Sequence, residues 1–387
     1  MAIEPLYALS SPFGSTRVLA FDHGRRGFVD LHLIPSWMRT DARDRIEREV
    51  EARTSIRSPY LSRPLGVVST DIGAAIAYEW RPGVTLAGAL AASGRVRVPF
   101  RVGTLFVVVA EVAKALAELA EAKLAHDNVS TCQVDLGFDG RVSLLGSGLS
   151  AFRTELEASG RGDRLRAVRF MAPERLMGKR ADVRSDLFSA GVVLWEALTG
   201  RELFAGRTPE ALAQQVIACV TVPPSRVVAR VSDAFDALSL RLLARSAKDR
   251  PSDASGFARS VEGLLAQAGV REGPGAMVHS DLARIFGSDV LSSAIDFAYE
   301  ARISTLPPPP IELAERPTCP VGRSVEPDQR ATEPPTAQVI DFADFRRTSE
   351  PPPPLRCTAL APKEIACALL AASGERFRPY SARAHSA

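Results

Sequence analysis

Two aspartates near the middle of this 387-residue chain could do oxygen chemistry. Asp127, in the string His126-Asp127-Asn128, and Asp135 carry carboxylates, the side-chain type that accepts protons and binds hard cations such as magnesium. Their neighbours are weaker candidates. Asn128 accepts a hydrogen bond but is no carboxylate base, Gln133 offers only an amide oxygen, and Gly146 has no side chain to offer. The plainer reading of His126 and Asp127 is a packed loop histidine and a solvated aspartate. Thiol and zinc chemistry is set aside, because the five cysteines are odd in number, far apart and without a Cys-x-x-Cys pair.

The elements that must position these groups follow from the hydrophobic pattern. The first 80 residues carry short β-type runs, Thr16–Phe21 and Gly27–Ile34 among them, and one polar helical stretch from Thr40 to about Arg57. From Leu86 the texture turns to Ala/Leu/Val helical periodicity, and Val107, Ala110, Val112, Ala113, Leu116 and Leu119 mark a largely buried helix. Asp139-Gly140 suits a tight turn between Val134–Gly137 and Val142–Leu145. Further helices are predicted over Ser185–Leu198, Pro209–Cys219, Ala234–Arg245 and Ala254–Gln267, with short ones over 281–300.

Composition bounds the rest. With 46% hydrophobic and 24% charged residues the chain can bury a large core. Its 48 basic and 45 acidic residues leave a formal charge of +3, too little to favour nucleic acid or a membrane surface as a partner. The N-terminus lacks the basic flank and apolar run of a signal peptide, and the longest apolar stretch, Val102–Ala110, is too short to span a bilayer. A soluble, cytoplasmic protein is expected. Past about Ser304, the runs Pro307–Pro310 and Pro351–Pro354 predict a disordered or polyproline-like tail, with one short amphipathic helix over Pro362–Ser373. Arg346-Arg347-Thr348-Ser349 in that tail could be phosphorylated by a basophilic kinase.

Three strings then stand in order: Phe170-Met171-Ala172-Pro173-Glu174, Asp186-Leu187-Phe188-Ser189-Ala190-Gly191, and Leu194-Trp195-Glu196-Ala197-Leu198-Thr199-Gly200. Together they strongly resemble the second half of a Ser/Thr protein kinase domain of bacterial type. The resemblance implies an α+β, two-lobed kinase-like fold: an N-lobe and hinge over 5–84, a C-lobe over 85–268, a helical extension over 269–304, and the proline-rich tail over 305–387. It also implies structural roles. Glu174 pairs with Arg250 of Lys248-Asp249-Arg250-Pro251 in a buried ion pair, and Asp186 holds backbone amides of the catalytic loop.

The same template places degenerate residues at the reacting positions. His-Arg-Asp reads His126-Asp127-Asn128, the following Asn reads Gln133, and Asp-Phe-Gly reads Gly146-Ser147-Gly148. In the N-lobe only Gly14 of the glycine-rich loop remains, the phosphate-binding lysine reads His32, and its carboxylate partner maps to Glu49. The hinge resembles Tyr78-Glu79-Trp80-Arg81-Pro82-Gly83, with Tyr78 guarding the back of the nucleotide pocket. Phosphoryl transfer needs a metal-bound carboxylate, a phosphate cation and a base. The resemblance therefore implies a pseudokinase, with no cofactor expected and a protein partner, an active kinase or its substrate. Two alternatives stay open: a divergent active Ser/Thr kinase using ATP and magnesium, with Asp127 or Asp135 as substitutes, and a metal-independent nucleotide sensor.

Overall fold

Buried apolar residues dominate β2 (Arg17–Asp22) and β3 (Gly27–Leu33), which pair as an antiparallel hairpin. Asp22 closes its turn, Oδ1 accepting from Gly24 N at 2.9 Å and Arg25 N at 3.1 Å, the local bonding that favours aspartate in turns. The structure is a computed structural model and describes residues 3–9, 17–25, 27–160, 163–303 and 378–379. Gly14, the two proline runs, the expected helix over Pro362–Ser373 and the string Arg346–Ser349 lie outside the described residues. The chain divides into a unit of Met1–Thr305 with Leu360–Ala387 and a second of Leu306–Ala359, the latter wholly outside the described residues.

The N-lobe sheet also takes in β1 (Ile3–Leu9), β4 (Pro64–Thr70), β5 (Gly73–Glu79) and the two-residue β9 (Arg378–Pro379), in the order β4-β5-β3-β2-β1-β9. Helix α1 (Thr40–Thr54) lies beside β4. Its Ala42, Ile46 and Val50, spaced by four, form the stripe it buries. It stops three residues before the expected Arg57, where Ser55 takes the C-cap.

The C-lobe begins with β6 (Gly83–Thr85), α2 (Leu86–Val96) and α3 (Val102–Glu121), followed by β7 (Val134–Gly137) and β8 (Val142–Leu144). The last three strands named form a small sheet in the order β6-β7-β8. Then come α4 (Ser150–Ala158), α5 (Arg164–Phe170), α6 (Pro173–Leu176), α7 (Val183–Thr199), α8 (Pro209–Ala218), α9 (Asp233–Leu242), α10 (Ala254–Gln267), α11 (Pro274–Phe286) and α12 (Ser288–Ile303). Helix α7 is buried nearly all round and packs at the centre on α3, whose polar residues Glu111, Lys114, Glu118 and Glu121 keep to one face. Asp182 and Ser185 form a reciprocal capping box at the start of α7, and Gly200 ends it in the left-handed conformation at φ 68°. Gly191 lets α9 approach closely, since a Cβ there would lie 2.8 Å from Leu242 Cβ. Met277, Leu282, Leu291 and Ala294 of the last two helices are buried in the same core cluster.

The two-lobed α+β kinase-like architecture expected from the sequence is the one observed. Among the described residues no helix is long and apolar enough to cross a membrane.

Candidate functional site

The cleft between the lobes is roofed by side chains that the strand register brings to one face. Arg17 sits opposite His32 across the β2–β3 pair, and Asp30 lies two residues before His32, hence on the same face. Arg17 Nε donates to both carboxylate oxygens of Asp30 at 2.8 Å, and its Nη2 lies 2.6 Å from Asp30 Oδ2. His32 Nε2 stands 3.7 Å from the same oxygen, and its ring meets Tyr78 edge-on at 5.4 Å between centroids. Burial alone would raise the Asp30 pKa, but the Arg17 guanidinium and His32 beside it hold it well below the usual carboxylate range. Tyr78 is buried, and its hydroxyl donates to Ser147 O at 2.9 Å. Burial, reinforced by Glu49, pushes that phenol well above its ordinary pKa. With Gln133 and Gly146 as the floor, the cleft retains a cavity of about 10 Å³, room for about one water.

Glu79 and Trp80 lie at the hinge rather than in this cavity. Glu79 N bonds to Arg63 O at 3.0 Å and its carboxylate pairs with Arg81 at 3.3 Å. Trp80 N bonds to Phe28 O at 3.3 Å, and the two rings stack edge-on at 5.3 Å.

At the floor, Gly146 adopts φ 74° and faces Gln133. A Cβ built on Gly146 would lie 2.9 Å from Gln133 Oε1 and 3.1 Å from Leu149 Cδ1, so a side chain there would have to displace the Gln133 amide and adopt a left-handed backbone. Asp135 does not compensate. It pairs with Thr85 across β6 and β7, its Oδ2 lies 2.9 Å from the place a Cβ on Gly83 would take, and it does not line the cleft.

The chain after Gly148 forms α4, an element the sequence reading did not assign. Its Phe152 and Leu156, with Leu149 before it, join Ile46, Val50 and Tyr78 in one buried cluster under α1. Glu49 is committed to this helix: Ser150 Oγ donates to Oε1 at 2.6 Å and Ala151 N to Oε2 at 2.8 Å, a carboxylate at a helix N-terminus. The partnership of His32 with Glu49 implied by the resemblance is therefore not formed. Asp30 is the carboxylate beside His32, and Arg53, 3.6 Å away, is the cation beside Glu49.

The catalytic-loop positions are held as structure. His126 is fully buried, with Nε2 2.9 Å from Leu145 O. Burial, helped by nearby Arg53, lowers its pKa to about 3, so the ring is neutral at pH 7. Asp127, at φ 55°, is gripped by Arg175, with Nε 3.0 Å from Oδ1 and Nη2 2.8 Å from Oδ2; Arg153 stands 3.9 Å away. This corrects the reading of Asp127 as a solvated aspartate, because a bidentate guanidinium occupies both its oxygens. Asn128 is buried, and its Nδ2 has no hydrogen-bond partner among the described residues.

Beneath the loop, Asp186 accepts from His126 N and Asp127 N at 2.8 Å each. Burial drives its pKa up to about 7 against these two amide donors. Arg250 forks onto Glu174 at 2.6 and 2.9 Å and also donates to Ala244 O, Arg184 O and Arg245 O at 2.8, 2.9 and 3.1 Å. Sequence reasoning missed Arg17, Asp30, Arg153 and Arg175. The signal for Asp30 was present in β3, where it shares the period-two face of His32 in an otherwise apolar strand.

Comparisons with known proteins agree with this fold. The serine/threonine-protein kinase PknB of Mycolicibacterium smegmatis is 29% identical over 179 residues, which is 45% of this chain and 28% of that one. The serine/threonine-protein kinase PknL of Mycobacterium tuberculosis is 28% identical over 176 residues, 46% of this chain and 44% of that one, so the chain spans less than half of either relative. The crystal structure of the Mycobacterium tuberculosis PknI kinase domain superposes with a TM-score of 0.52 at 20% identity, covering 66% of this chain and 95% of that domain, a likeness of fold. The family described as protein tyrosine and serine/threonine kinase matches residues 30–252, and the chain belongs to it.

Proposed function

We propose that this domain is a catalytically impaired kinase, a pseudokinase that serves signalling as a protein-binding or regulatory scaffold. The observation that carries the reading is the filled cleft, where Arg17, Asp30, His32 and Tyr78 leave about 10 Å³. Phosphoryl transfer is almost entirely positioning and charge neutralisation around the triphosphate. The residues present do not fit magnesium and ATP. Gly146 supplies no oxygen ligand, His32 stands against Asp30, Glu49 caps α4, and Asp127 is neutralised by Arg175. Protein contact fits the remaining surface better than chemistry does. Met177, 58% exposed and followed by the exposed Lys179 and Arg180, puts an apolar anchor beside basic charge on the loop after α6.

The partner proposed is a cytoplasmic protein, an active kinase or a kinase substrate. The test is thermal shift of the full chain at millimolar ATP, with and without Mg²⁺ or Mn²⁺, run beside an assay of γ-phosphate transfer to protein. No shift and no transfer are expected. A metal-dependent shift with transfer abolished by Asp127→Ala would establish an active kinase instead, and a metal-independent shift without transfer would establish a nucleotide sensor.

A further inference from the structure

We infer that α12 is a strap between the lobes that fixes how they sit over the cleft. This goes beyond the proposed function, since it holds whether or not the domain transfers phosphate. The helix belongs by its first turns to the C-lobe, where Leu291 and Ala294 are buried in the main core. The same helix also packs against β3, the strand that carries Asp30 and His32. One continuous helix therefore touches both lobes, and it does so at the strand that roofs the cavity.

A strap works only if its base is fixed, and α11 fixes it. Asp281, fully buried, accepts from Arg101 N and from Arg101 Nε at 2.9 Å each, with Arg284 Nη1 at 2.8 Å. Arg101 Nη2 also donates to Met277 O at 2.9 Å. Since Arg101 is the N-cap residue of α3, this ties α11 to the end of the central C-lobe helix. His279 Nδ1 lies 2.7 Å from Phe138 O, so that nitrogen carries the proton and donates it. Phe138 N in turn bonds to Pro82 O in the hinge at 3.2 Å. Only a single short helix break at Gly287 separates this anchored base from α12, so α12 has little freedom to swing.

The experiment uses the full chain with substitutions at Asp296, which is exposed on α12 beyond the buried Leu291 and Ala294. Alanine keeps the helix, glycine weakens it and proline breaks it. Amide hydrogen exchange is followed in β3 and in α3. The expected result is exchange in β3 faster by about threefold in Asp296→Gly and by tenfold or more in Asp296→Pro than in Asp296→Ala, with α3 unchanged. The inference is overturned if β3 protection is the same across the series, or if α3 loosens as much as β3, which would make α12 a general stabiliser. Should the proline variant fail to fold, the alanine and glycine variants decide between the same outcomes. ATP plays no part in the readout, so the strap and the pseudokinase reading stand or fall separately.

Discussion

The interlobe cleft and the C-lobe framework are each organised around a buried arginine–carboxylate pair, yet the two pairs do different work. Arg250 and Glu174 join segments 76 residues apart, and Arg250 satisfies three backbone carbonyls besides. Arg17 and Asp30 are 13 residues apart on neighbouring strands, and their chief effect is to occupy the space beneath the sheet. A buried ion pair is no guarantee of stability, because desolvation offsets much of the attraction. Arg250 is marked out by the three backbone carbonyls it holds. The C-lobe pair holds its loops, while the cleft pair occupies space beneath the sheet.

Removing one partner from the framework should have the largest effect. Arg250→Ala strands Glu174 and three carbonyls, and is expected to cost about 3–5 kcal/mol in chemical denaturation. A loss below about 1 kcal/mol would mean that the framework pair is as dispensable as the contrast makes the cleft pair. Next in size is Gly146→Asp, the change that restores a metal-binding residue by type. At φ 74°, with Gln133 Oε1 in the way, the new side chain should cost about 1–3 kcal/mol and confer no magnesium affinity by calorimetry. Magnesium binding by this variant would show that only the missing carboxylate separates the cleft from a working one.

The difference between the regions also explains what could be read from sequence. Glu174, Asp186 and Arg250 stand in contiguous strings whose order identifies the C-lobe, and the departures from the kinase template expected at Asn128, Gln133 and Gly146 are read from residue types without coordinates. The replacements are another matter. Arg17 meets Asp30 only through the register of β2 on β3, and a one-residue slip would turn Asp30 to the opposite face. Glu49 was recognised by position, but its actual partners at Ser150 and Ala151 lie 101 and 102 residues downstream. Helix α4 has Phe152 and Leu156 at helical spacing, too short a stripe to announce itself without α1 to cover it.

Replacing both members of the cleft pair sharpens the contrast further. In Arg17→Met/Asp30→Leu, apolar groups of similar size take over the volume, and stability is expected to stay within about 1 kcal/mol of the parent. The matched framework variant, Arg250→Met/Glu174→Leu, still leaves the carbonyls of Ala244, Arg184 and Arg245 without their donor, so it should remain clearly destabilised in the same denaturation series. Equal behaviour of the two double variants would erase the distinction between a pair that supports backbone and one that fills space.

The smallest effect concerns pH, where the two regions carry opposite signs. Asp30 has its pKa depressed by Arg17, so its contribution is present above the ordinary carboxylate range and is lost as the solution turns more acid. Glu196 on α7 behaves the other way. Burial raises its pKa from the ordinary 4.5 to about 7, only partly opposed by the Leu203 amide, which donates to Oε1 at 3.2 Å. At this group the folded state holds a proton that the unfolded state releases, so its contribution to stability falls as pH rises from about 4.5 to about 7 and levels off above that. Glu196→Gln removes the titrating group while retaining an oxygen for the Leu203 amide. It is expected to flatten that decline by on the order of 1 kcal/mol between pH 5 and 7, measured by denaturation across the range. Asp186, also raised to about 7 by burial, keeps a share of the slope in the variant. An unchanged slope would place the response at groups other than Glu196, Asp186 in the first turn of the same helix first among them.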